Sequence, residues 1–113
     1  MSQPESSPTA GRDRQPESAR LEAVVHGRVQ GVGFRYFILS RAARLGLTGW
    51  VANEADGSVR CVAEGDRENL EALLAILRDG PPGARVDDVR VDWTSATGRW
   101  TSFGVRSAAH RGD

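Results

Sequence analysis

The chain has 113 residues, 39 % of them hydrophobic, and its 15 cations, all arginine, equal its 15 carboxylates, so the formal net charge at pH 7 is zero. That length makes one domain, and a neutral balance weighs against a nucleic-acid partner, which selects a basic excess or stripe. No run approaches the roughly 20 apolar residues that cross a bilayer, the single cysteine, Cys61, excludes an intramolecular disulfide, and no spacing of His, Cys, Asp and Glu matches a metal site.

Residues 1–19 are poor in apolar side chains and rich in Ser, Pro, Gln and charge. They read as a disordered leader, and without an apolar h-region they do not read as a secretory signal. The folded domain is expected over 20–106, followed by a polar tail over 107–113 that carries His110. A soluble, cytoplasmic monomer is expected, with no membrane and no nucleic acid among its partners.

Leu21 to His26 is short, apolar and β-compatible, and a glycine-rich connection, Gly27 to Gly33, is expected to end it. A helix follows over Arg35–Leu45, where Phe34, Ile38, Ala42 and Leu45 recur at helical spacing, Phe37 widens the stripe and Gly46 supplies a stop. Two strands, Leu47–Asn53 and Ser58–Glu64, flank Asp56-Gly57, a strong hairpin signal. Asp66 is placed to cap a second helix with Leu70, Leu73, Leu74 and Leu77 on one face, ended by Gly80 and two prolines. Val89, Val91 and Trp93 alternate with charge in a further strand, and Trp100–Val105 closes the domain as a short one.

The order predicts an α+β fold of the ferredoxin-like, split βαβ type. That is βαββαβ, an antiparallel sheet with two helices on one face, plus a short extra edge strand. Such a fold hosts enzymes, RNA binders and regulatory modules, so function has to come from a site.

The informative stretch is Gly27-Arg28-Val29-Gln30-Gly31-Val32-Gly33-Phe34-Arg35. Glycines let a backbone curl so that several N–H groups face one anion, and the adjoining helix start adds its own unpaired donors. Arg35 sits at the positive end of that helix, where a cation costs a few tenths of a kcal/mol unless an anion lies against it. The pattern points to phosphate. Taken with Ala42 to Asn53 and with Asp56-Gly57-Ser58-Val59, this run resembles the acylphosphatase family, and the likeness spans most of the folded part.

The resemblance implies a small ferredoxin-like enzyme that hydrolyses the carboxyl-phosphate bond of acyl phosphates with neither cofactor nor metal. It implies that Arg35 binds the phosphate, that the amides of Gln30, Gly31, Val32, Gly33 and Phe34 cradle it, and that Asn53 holds the attacking water. Chemistry makes these roles reasonable. The leaving group is a carboxylate of pKa roughly 4, so no general acid is needed. What remains is holding phosphoryl oxygens, stabilising their charge and aligning water, which is positioning and electrostatics.

Each residue also has a plainer reading. Asn53 before a hairpin is ordinarily a turn residue, Arg35 alone a surface arginine, and the Gln30 side chain a tie of the loop to itself, leaving only its backbone amide for a ligand. His26 reads as structural, Cys61 as a small apolar side chain in its strand, and Trp50 and Trp93 as core or sheet-face aromatics. A non-catalytic phosphate-binding regulatory module on the same fold is the alternative to an enzyme. An RNA-recognition module would display aromatics where Val59-Arg60-Cys61-Val62-Ala63 has none.

Overall fold

The computed structural model describes residues 17–106. The tail from position 107, His110 with it, and all of the expected leader up to position 16 lie outside the described residues. Seven elements follow in order: β1 Ser18–Arg28, α1 Phe34–Arg44, β2 Thr48–Asn53, β3 Val59–Asp66, α2 Arg67–Asp79, β4 Arg85–Ser95 and β5 Phe103–Arg106. They form one five-stranded sheet in the order β4-β1-β3-β2-β5. Inward residues of β1 and β3, among them Leu21, Ala23, Val25, Cys61 and Ala63, pack in a single core with Phe34 and Ile38 of α1 and Leu70, Leu73 and Leu77 of α2. Each of those leucines, fully buried, contributes about 1.5–3 kcal/mol. The architecture is of the ferredoxin-like α+β class, with one five-stranded sheet and two helices.

The ends differ from the expectation. β1 begins at Ser18, inside the stretch read as leader, and Ala19 is buried because β1 is paired on both sides, Ala19 opposite Gly65 of β3 and Ser95 of β4. Gly27 does not end the strand. It pairs with Val86 after a register shift that leaves Asp87 unmatched, and pairing continues to Arg28. At the other edge Trp100 to Ser102 stay outside the strand, and β5 pairs with β2 in parallel, so the sheet is antiparallel only from β4 to β2. Parallel pairing there follows from topology, since β5 arrives on a crossover from the opposite sheet edge.

The two helix starts contrast. The Asp66 carboxylate accepts from the Glu68 amide at 3.3 Å, and Glu68 adds a negative charge to the first turn, so α2 satisfies its own positive end. α1 begins at Gly33, in the left-handed region at φ 76°, with no side-chain cap and no acidic residue in its first turn. Leu70, Leu73, Leu74 and Leu77 are buried on α2 as their spacing predicts, and on α1 Phe34, Ile38 and Ala42 are buried while Phe37 and Leu45 pack half-buried at the rim.

Candidate active site

Between β1 and α1 the chain turns through Val29 to Gly33. Val29 is buried and anchors the loop in the core, whereas Gly31 and Gly33 have φ of 77° and 76°, which L side chains rarely adopt. A Cβ at either glycine would meet nothing within 4 Å, so backbone shape rather than crowding selects glycine. No hydrogen bond among the described residues uses the amides of Gly31 to Tyr36, as the first turn of a helix leaves them.

Arg35 stands in that first turn, and its Nη1 donates to the Arg106 carbonyl at 3.3 Å. Arg106 is opposite Ala52 in the parallel β2–β5 ladder, one residue before Asn53, which ends β2. The fold therefore brings Arg35 and Asn53 to the same end of the same strand pair. The glycine loop joins them from the other side, because Gln30 Nε2 donates to the Glu54 carbonyl at 2.8 Å and the Ser58 carbonyl at 2.9 Å. Gln30 does not tie the loop to itself; it ties the loop to the β2–β3 turn.

That turn is stiff. The Glu54 amide donates to the Ser58 carbonyl at 2.9 Å, the Gly57 amide to the Glu54 carbonyl at 3.1 Å, and the Asp56 carboxylate accepts from the Ser58 amide at 2.9 Å and hydroxyl at 2.6 Å. The Ser58 hydroxyl and amide hold the Asp56 carboxyl below its ordinary range. Glu54 lines a concavity of about 360 Å³ with Val24, Asp56 and Arg60. Val24 and Arg60 alternate with core residues of their strands, so this concavity belongs to the sheet face away from the helices.

The remaining candidates take structural places. His26 is paired with Asp88 across β1–β4, its Nδ1 3.6 Å from the carboxylate. Cys61 is fully buried, and burial pushes its thiol up to about 12. Trp93 packs half-buried against the core with the Arg67 guanidinium over its ring, and Trp50 carries the Arg106 guanidinium 4.4 Å from its ring centre on the face away from the core.

One buried charge carries no local sequence signal. Glu64 is 3 % exposed and accepts from the Thr97 amide and hydroxyl at 2.9 and 2.8 Å and the Gly98 amide at 2.9 Å, which pins the β4–β5 connection that delivers β5 to the site. Burial pushes its carboxyl up, but the Thr97 and Gly98 donors together with Arg20 outweigh it, and the net shift is downward. Alternation puts Glu64 on the outer face, and nothing local signals that a loop crosses there. Asp56-x-Ser58, by contrast, is an Asx-turn pattern that could have been read.

An uncapped, glycine-led helix start thus stands beside a strand end on a ferredoxin-like α+β domain. The acylphosphatase family model matches residues 21–105. An acylphosphatase of Salinibacter ruber is 53 % identical over 87 residues, covering 77 % of this chain and 92 % of its own, and one of Mycobacterium sp. (strain KMS) is 53 % identical over 92 residues, covering 81 % and 97 %. The crystal structure of the Bacillus subtilis acylphosphatase superposes with a TM-score of 0.75 at 35 % identity, covering 78 % of this chain and 98 % of that one. The chain belongs to the acylphosphatase family. Among the described residues no helix is long and apolar enough to cross a membrane.

Proposed function

We propose that this chain hydrolyses acyl phosphates to a carboxylate and inorganic phosphate by in-line attack of a positioned water. The observation that carries the reading is the open start of α1, glycine-led and bearing Arg35, set at the strand end that carries Asn53. In this reading the amides of Gln30, Gly31, Val32, Gly33 and Phe34 and the Arg35 guanidinium grip the phosphoryl oxygens and neutralise the charge of a loose transition state. The Asn53 side-chain carbonyl accepts a hydrogen bond from water and aligns it behind phosphorus, while its NH₂ remains free to donate to a phosphoryl oxygen. Water adds to phosphorus, the bond to the carboxylate oxygen breaks, and the proton released goes to solvent. A carboxylate leaves unaided, so no general acid is assigned.

The unit assigned this activity is the domain over 20–106 together with Ser18 and Ala19, which β1 takes from the expected leader over 1–19, and a tail over 107–113 follows it. A cytoplasmic monomer acting on a small molecule, without nucleic acid, fits the neutral balance and the lone Cys61. Phosphate release from a panel of acyl phosphates, with a phosphate monoester as control, tests the reading. Release from the acyl phosphates alone is expected. Anion binding without release would instead make the chain a phosphate-binding module.

A further inference from the structure

Gln30 sits in the proposed phosphate loop, and its side chain reaches the carbonyls of the β2–β3 turn. A primary amide has two N–H groups, and both on Nε2 are engaged, one by the Glu54 carbonyl and one by the Ser58 carbonyl. Two carbonyl acceptors also fix which end of the amide is nitrogen, since the flipped side chain would set oxygen against oxygen. No donor is left for a phosphoryl oxygen, and the remaining Oε1 would repel one. The two carbonyls are the ends of the stiff turn that directly follows Asn53, and Ser58 is 2 % exposed, so that turn is itself held in the body of the domain.

We infer that Gln30 is a positioning residue: its side chain straps the loop that holds the phosphoryl group to the turn that fixes Asn53, setting the distance between bound phosphorus and the aligned water. The inference rests on the hydrolase reading and adds a role to it. Without the strap each half keeps its own shape. The loop is still shaped by Gly31 and Gly33 and anchored by Val29, while the turn keeps the Glu54–Ser58 and Gly57–Glu54 bonds and the Asp56 cap. Only their relative placement loosens. Phosphate binding, which uses the loop side, should then persist while alignment of water suffers.

Gln30→Met keeps the length of the side chain and removes both donors. In the full chain, kcat is expected to fall on the order of 10²-fold, the loss that about 1 Å of misplacement produces. Competitive inhibition by inorganic phosphate should stay within about threefold of wild type. An inhibition constant that rises in step with the loss of kcat would put the side chain on the phosphate and overturn the strap. Unchanged kcat with a lowered Tm would reduce the tie to a fold contact and overturn it equally. Gln30→Glu gives an independent readout should the first variant not fold. Its carboxylate has no proton to offer the two carbonyls at neutral pH and gains one on protonation, so kcat relative to wild type should climb as pH drops from about 7 to about 4, through the ordinary Glu range. A flat ratio refutes the strap. A wild-type chain that turns over no acyl phosphate removes the hydrolase reading and the strap with it, and is told apart from the other failures because the parent itself is inactive.

Discussion

The Arg35 guanidinium is tethered to a neutral partner, the main-chain carbonyl of Arg106, by a 3.3 Å hydrogen bond long for its type. The bond orients the fork without discharging it. A carboxylate in that place would compete with a phosphate dianion, whereas a carbonyl engages one donor and leaves the charge and four N–H groups for a ligand.

Arg35→Gln is therefore expected to lower kcat/KM of acyl phosphate hydrolysis by about 10²- to 10³-fold or more, as loss of a preorganised electrostatic contact does. Phosphate inhibition should weaken in parallel, with the circular dichroism spectrum unchanged. Stability should hold or rise by a few tenths of a kcal/mol, since a cation leaves the positive end of α1. Near wild-type kcat/KM in a folded variant would remove Arg35 from the site.

Asn53→Ala separates alignment from binding. The variant should lose most of kcat while inorganic phosphate still competes within several-fold of wild type, a split that marks an interaction made only in the transition state. Equal loss of both would make Asn53 a phosphate ligand or a turn residue.

Glu64 links pH to stability. Its folded carboxyl is shifted down, so its donors stabilise the fold above the ordinary carboxyl range near 4.5, and that stability disappears as pH falls through the lowered folded value. Glu64→Gln should destabilise the domain at pH 7 by about 1.5–3 kcal/mol, because an amide NH₂ would face the Thr97 or Gly98 donors in place of a charged acceptor. Urea titrations should show the gap to wild type narrowing below about pH 4; a gap independent of pH would deny Glu64 its charge in the fold.

Cys61 should be silent. With its thiol pushed up to about 12 by full burial, it presents almost no thiolate at neutral pH. A colourimetric thiol reagent should label it only as the chain unfolds, at the rate of unfolding; prompt labelling of the native protein would contradict the packing of β3.

A chain cut to Glu17–Arg106 keeps the Glu17 carbonyl that accepts from the Arg67 amide and every residue assigned to the site. Assayed in excess EDTA, it should retain kcat within about a factor of three, because arginine and backbone amides carry the charge stabilisation assigned to metal ions in other phosphoryl-transfer sites. Activity lost to EDTA and restored by a divalent cation would overturn that account.

Much of the fold was written locally. The leucine spacing of α2, the alternation through Val59, Cys61 and Ala63, and Asp56-Gly57 between two apolar runs each draw on periodicity or turn chemistry that neighbouring residues settle among themselves. The glycine run with Arg35 was legible for the same reason. What escaped was non-local. Ser18 to Arg20 lack strand patterning and become strand because β3 and β4 flank them, β5 is parallel because of where its crossover lands, and Glu64 is buried by a loop more than 30 positions away. The sequence marks the Gln30 side chain as a tie, but its partners are main-chain carbonyls, which have no sequence letter of their own.

Because Arg35 meets Arg106 across 71 positions and β5 closes the edge beside Asn53, the site cannot assemble until nearly the whole domain has been synthesised. A chain ending before Phe103 would lack the strand whose backbone steadies the arginine. Pairings this distant also slow the search for the native state relative to helical domains of similar size. Competence thus arrives late, with the docking of the edge strand that lies farthest along the described chain.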